Sequence, residues 1–178
     1  AFEQLCVISD KFMMNQFMNE DDRNSLTFIL QNIIFFVGDI DSNQDLKLAL
    51  ILSVDAPKRK RQKLLRELGI LDQIFYLLSH FLELLNTQTS TNKYNLQLCY
   101  RIVKLSFKNY RKNQEYICSN FFSLMQNHIG HDIFAEDALT SLLNNNQKLL
   151  ENFVKDSEIN NFISLVRQNM PHWDGQYF

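Results

Sequence analysis

The residues best equipped for chemistry lie in the run Pro57-Lys58-Arg59-Lys60-Arg61-Gln62-Lys63-Leu64-Leu65-Arg66-Glu67. On a helix turning about 100° per residue, with Arg59 at 0°, Lys63 falls at about 40° and Arg66 at about 340°. Three cations then share one stripe. Leu64, Leu65 and Leu68 fall at about 140°, 240° and 180°, so the opposite face is apolar. Arg61 falls at about 200°, among the leucines, where its guanidinium must snorkel to water or pair with an acid. Arg61 is therefore read as structural. Like charges four residues apart repel by a few tenths of a kcal/mol per pair, and Glu67 at about 80° offsets part of that cost. The stripe begins in the first turn, where free N–H groups and the positive helix end also draw anions. The chemistry on offer is anion binding, with no bond made or broken.

A second cluster, Tyr110-Arg111-Lys112-Asn113-Gln114-Glu115-Tyr116, lies between two apolar segments near a helix start. Taken singly, either cluster also fits a solvated charged surface. Pro57-Lys58-Arg59-Lys60-Arg61 also matches a nuclear localisation signal, but such signals are extended, and this one runs straight into Leu64, Leu65 and Leu68. His131, Glu136 and Asp137 lack further ligands at metal-binding spacing and read as solvated charges. His80, His128, His131 and His172 belong to no nucleophile–base arrangement. No nucleophile elbow, phosphate-binding glycine loop or carboxylate pair is present, so the chain is not read as an enzyme and no metal or cofactor is expected.

The elements that must position these clusters are helices. Only 4 glycines and 2 prolines serve 178 residues, 46% of them hydrophobic and 15 of them Phe. Sandwiches, barrels and glycine-rich nucleotide folds need more turn residues than that. Net charge is -2, with 18 basic and 20 acidic residues, so nucleic-acid binding is not expected. Cys6, Cys99 and Cys118 are odd in number and far apart, which argues against a disulfide framework and for a reducing compartment. The richest apolar run, Ile33-Ile34-Phe35-Phe36-Val37, is far short of the ~20 residues of a membrane span. The chain begins with Ala and reads as a fragment.

Apolar spacing predicts a helix over 3–18, ragged near Asn19-Glu20-Asp21-Asp22, and a buried one over 23–37 ending at Gly38. A short helix at 46–53 and one opened by Pro57 follow, the latter spanning 58–86 with a break at Gly69. Residues 86–93 read as a polar surface loop. Helices then occupy 94–108, 111–128, 132–144 and 147–169, with a dip near Asp156, and 171–178 read as a loose tail. Together, 1–178 reads as a single all-α domain, an armadillo-like stack of antiparallel helices, with a compact helical bundle as the alternative. No repeat period is visible; the reading rests on helix count.

Arg61-Gln62-Lys63-Leu64-Leu65-Arg66-Glu67 followed by Ile70-Leu71-Asp72-Gln73-Ile74-Phe75 resembles a signature of the inositol trisphosphate receptor family. So do Leu98-Cys99-Tyr100-Arg101 and Tyr110-Arg111-Lys112-Asn113-Gln114-Glu115-Tyr116-Ile117. Ala135-Glu136-Asp137, Leu142-Leu143, Asn145-Asn146, Lys148-Leu149-Leu150-Glu151 and Phe162-Ile163-Ser164-Leu165-Val166-Arg167 follow in order. The resemblance runs from about Leu30 to Asn169. It implies an armadillo-like RIH domain forming half of a ligand cleft, with a preceding β-trefoil domain of the same full-length chain as the other half. It implies inositol trisphosphate as ligand, with contacts at Arg59, Lys63 and Arg66 and at Tyr110, Arg111 and Lys112. It further implies a tetrameric calcium-release channel, placed in the membrane of the endoplasmic reticulum or another internal calcium store. This stretch would lie on the cytosolic face without touching the bilayer. Lys60 departs from the family by standing where an acid is frequent, Gly69 by standing where Asn is usual, and 86–93 by replacing a different loop. The same residues fit one other use, an armadillo-like docking scaffold whose basic groove binds an acidic peptide.

Overall fold

The computed structural model describes residues 2–13, 19–41, 43–84, 90–144 and 146–169. The regular elements among them are all helical: α1 (Phe2–Met13), α2 (Glu20–Gly38), a 3-10 turn (Leu46–Leu50), α3 (Arg59–Glu67), α4 (Ile70–Leu84), α5 (Ser90–Phe107), α6 (Arg111–Asn127), α7 (Ala135–Leu143), α8 (Gln147–Phe153) and α9 (Asp156–Asn169). This is the all-α, armadillo-like stack that the helix count predicts. α5 is its axis and packs against α2, α3, α4, α6 and α7. Its Leu96, Leu98, Cys99, Tyr100, Ile102, Val103 and Phe107 are all buried, joining those of α2 and α4 in one continuous core. Among the described residues, no helix is long and apolar enough to cross a membrane.

Several boundaries differ from the sequence reading, each for a physical reason. Asn19-Glu20-Asp21-Asp22 is the capped start of α2 rather than a ragged helix end. The Asn19 side chain accepts from the Asp22 N–H at 2.7 Å, and three acids sit in the positive first turn. Residues 14–18 of the first predicted helix lie outside the described residues. α2 is less buried than its composition suggests, with Phe28 at 57% and Phe36 at 43% exposure. It ends at Gly38, where an added Cβ would stand 3.0 Å from both Ile40 and Val54 side chains; Asp39 makes the left-handed turn at φ 54.

Pro57 does not open α3. The helix begins at Arg59, with Lys58 as an extended N-cap (φ -72, ψ 112). A tertiary clamp sets that start. Lys58 N–H donates to the Val37 carbonyl at 3.1 Å, and the Lys58 and Arg61 side chains pair with Asp39 at 3.0 and 2.9 Å. Lys58 is the main reason that the Asp39 carboxyl is held below its ordinary pKa, with Arg61 adding to it. Arg61 also donates to the Phe36 carbonyl and lies over the Phe36 ring, as expected of a structural cation. Of the leucines of α3 and its C-cap only Leu65 is buried, whereas Leu64 (40%) and Leu68 (49%) are exposed.

α3 and α4 part at Gly69, whose φ of +71 suits glycine. Residues 90–93 form the first turn of α5 rather than a loop, and 86–89 lie outside the described residues. Their polarity conceals burial: Asn92 is 1% exposed, as is Asn95 one turn later, which accepts from the Thr27 hydroxyl at 2.7 Å. The 132–144 helix starts only at Ala135, after left-handed Asp132 and Phe134. The dip near Asp156 is a full break between α8 and α9, made by extended Val154. The predicted tail 171–178 lies outside the described residues.

Candidate anion-binding site

The two basic clusters meet where α3 begins, α5 ends and α6 begins. Left-handed Asn109 (φ 58) turns the chain out of α5, and Tyr110 is the extended N-cap of α6. Neither that N-cap nor Lys58 of α3 makes a side-chain cap, so both helix starts keep uncapped first-turn N–H groups. Arg59 Nη2 donates to the Asn109 carbonyl at 3.0 Å. The Arg59 guanidinium carbon is 5.0 Å from the Tyr110 ring centroid, and that of Arg66 is 5.7 Å from it. Arg59 and Arg66 thus share one aromatic ring that belongs to the second cluster.

Beside this junction is a cavity of about 480 Å³. Its cationic wall is Arg59 of α3, Lys104 and Lys108 of α5 and its exit, and Arg111 of α6. Asn109, Gln114, Ser141 and Asn144 supply neutral polar groups, and Phe107 an apolar one. Lys104 is ion-paired with Asp137 at 2.6 Å. Lys108 Nζ donates to the Val54 carbonyl at 2.7 Å, a neutral partner that leaves its charge uncompensated there. Such a wall suits a compact polyanion: planar guanidiniums grip two oxygens at once, and ammonium groups act as point charges.

The structure sorts the six residues singled out from sequence. Arg59 and Arg111 line the same cavity. Tyr110 is 8% exposed, with Arg59 and Arg66 over its ring. Arg66 donates to Asn113 Oδ1 at 2.5 Å and does not line the cavity. Lys63 is turned to Glu67, 3.3 Å away, and Lys112 is exposed beside Arg111; neither lines the cavity. Lys104, Lys108, Gln114, Ser141 and Asn144 join the lining without having been read from sequence. Helical spacing gave no signal for them, because left-handed Asn109 breaks the chain between Lys104 and Arg111.

Two buried amides brace the junction. Gln62, 1% exposed, donates through Nε2 to the carbonyls of Leu105 at 2.8 Å and Lys108 at 2.9 Å. Asn113, fully buried, donates through Nδ2 to the carbonyls of Gln62 at 2.9 Å and Ser106 at 2.8 Å, while its Oδ1 receives Arg66. On the far side of α6, the Tyr116 hydroxyl donates to Asp72 at 2.6 Å and ties α6 to α4. Burial, then that hydrogen bond, push the Tyr116 pKa up to about 12, so it remains a donor. Among the described residues, no three His, Cys, Asp or Glu side chains are grouped to hold a metal ion.

Comparison with known proteins finds a matching family and a curated relative. The family model for the RIH domain matches residues 27–178. The inositol 1,4,5-trisphosphate receptor itr-1 of Caenorhabditis elegans is 38% identical over 173 residues, an alignment that covers 88% of this chain and 6% of that protein. The chain therefore spans a small part of the length of this relative.

Proposed function

Because this chain belongs to the RIH-domain family, and within it to the inositol trisphosphate receptors, we propose that its basic cavity grips phosphate groups of an inositol trisphosphate. One observation carries the reading. Arg59 and Arg111, from two uncapped helix starts far apart in sequence, line a single cavity with Lys104 and Lys108. In this reading Arg59 and Arg111 contact phosphate directly, and Tyr110 holds the cations Arg59 and Arg66 in place. Lys63 and Lys112 are exposed outside the cavity lining, where a larger ligand surface or a second domain would meet them. The chain would be the helical half of a ligand-binding core, completed by a β-trefoil domain of the same full-length protein. That protein would be a tetrameric calcium-release channel, with this part on the cytosolic side of the endoplasmic reticulum or another internal store. Ligand that prefers the closed arrangement of the two halves would then shift the population toward it and bias the pore.

Hydrogen bonds to charged groups contribute about 1.5–3 kcal/mol each, and exposure of the cavity keeps these near the lower figure. Losing Arg59 and Arg111 together should therefore cost about 3 kcal/mol, roughly a hundredfold in Kd. The test is calorimetric titration of inositol 1,4,5-trisphosphate into the full-length protein and its Arg59→Gln, Arg111→Gln double variant. A hundredfold weaker Kd is expected, and affinity in the wild type should fall as salt is raised. Equal affinity of wild type and double variant would overturn the assignment. Failure to discriminate among trisphosphate isomers would favour an acidic-peptide groove instead.

A further inference from the structure

α3 brings Arg59 to the cationic wall and Arg66 to the Tyr110 ring, yet little apolar packing fixes its register. Of its nine residues only Gln62 and Leu65 are buried, and Leu64 and the C-cap Leu68 face solvent. A nine-residue helix held by one leucine could slide or roll on its neighbours, because dispersion and burial are non-directional. What opposes sliding is directional: the Lys58 and Arg61 clamp on Asp39 and Phe36 toward α2, and two buried amides toward α5 and α6. Gln62 Nε2 bridges two carbonyls at the end of α5, and Asn113 of α6 reaches back to the Gln62 carbonyl, the Ser106 carbonyl and the Arg66 guanidinium. Hydrogen bonds weaken steeply once their angles depart from linear, and these five share two side chains, with three of them buried. Gln62 lies between Arg59 and Arg66 on α3, and Asn113 lies two residues past Arg111 on α6.

We propose that Asn113 and Gln62 are positioning residues that set the separation between Arg59 and Arg66 on one side and Arg111 on the other, and so select the phosphate spacing that the cavity accepts. Neither amide touches the cavity. They act through the helices that carry the cations. This proposal rests on the anion-binding reading above, and its test has one arm that does not.

In the first arm, Kd values of the full-length protein for inositol 1,4,5-trisphosphate and its 1,3,4 isomer are compared in the wild type, Asn113→Leu and Gln62→Met. The ratio of the two should fall at least tenfold in each variant. A purely structural role would not move it, since an unfolded fraction weakens both ligands by the same factor. An unchanged ratio in both variants, or a wild type that binds the isomers equally, would overturn the selection of spacing. In the second arm, spin labels are placed at exposed Lys60 and Ser119 through Lys60→Cys and Ser119→Cys, with Cys6→Ser, and their separation is measured by pulsed electron resonance without ligand. The distance distribution should broaden or shift in Asn113→Leu. A distribution as narrow as that of the parent would overturn the positioning role. If the wild type binds neither isomer, the anion-binding reading falls, and the distance arm still decides this one.

Discussion

Replacing Gln62 by Met keeps the side-chain volume and removes both amide donors. The carbonyls of Leu105 and Lys108 lie at the end of α5, where helix geometry leaves carbonyls without intrahelical donors, and Gln62 Nε2 reaches them at 2.8 and 2.9 Å. A net hydrogen bond contributes about 0.5–1.5 kcal/mol, but a buried acceptor left unpaired costs about 1–3 kcal/mol. The Leu105 bond is buried and should exact most of that penalty, whereas the Lys108 bond is only partly buried and water can replace it. Met buries more apolar surface than Gln, which returns part of the loss. The expected balance is about 2–3 kcal/mol of destabilisation. For a chain of this size that corresponds to a drop in Tm of about 4–12 °C. Urea unfolding of wild type and variant, followed by far-ultraviolet circular dichroism, measures it directly. The slope against urea should stay constant, since the same surface unfolds. A loss below about 0.5 kcal/mol would show that the end of α5 is satisfied without Gln62, which would then be no brace of the junction.

Two further predictions follow from buried titratable groups. Burial, with the charge of His131 adding to it, pushes the His128 pKa down to about 4 from 6.5, and its Nδ1 is 2.7 Å from the Tyr100 hydroxyl. The unfolded chain therefore takes up a proton below about pH 6.5 that the folded chain refuses until about pH 4, so this contribution is complete above 6.5 and is lost as the pH falls toward 4. At 1.36 kcal/mol per pH unit the loss is about 3 kcal/mol, and it should be missing from the stability–pH profile of His128→Gln; parallel profiles for wild type and variant would contradict it. Burial also pushes the Cys118 thiol up to about 12, from 9.0, and raises Cys99 as well. Alkylation of these two at pH 8 should be about 10³-fold slower in the native protein than in urea, read by peptide mass spectrometry, and equal rates would refute their burial.

The cationic stripe was legible because it is a local property. Residues at i, i+4 and i+7 share a face on any straight helix, so Arg59, Lys63 and Arg66 could be aligned before any tertiary contact was known. The same periodicity set Arg61 apart from them, and the structure gives it the acid it needs, Asp39. The break at Gly69 and the helical class of the chain are likewise written in residue type, through φ freedom and the scarcity of turn formers. The motifs carrying the family resemblance are also continuous runs, and the comparisons bear out the family they imply.

What the tertiary structure decided is which charges share a space. On the wheel Lys63 is the equal of Arg59, but on the folded surface it is turned to Glu67 while Arg59 reaches the Asn109 carbonyl. Lys104 and Lys108 enter the cavity wall only because α5 ends beside the start of α3. The polar letters of 90–93 looked like a loop because composition cannot tell an amide facing water from one buried inside the fold, as Asn92 is. Gln62 and Asn113 were invisible as braces for the same reason. Their hydrogen-bond partners lie 43 and 51 positions away, and such distances in sequence carry no periodic signal. Helical spacing fixes which side chains point the same way; only the packing of one helix against another fixes what they point at.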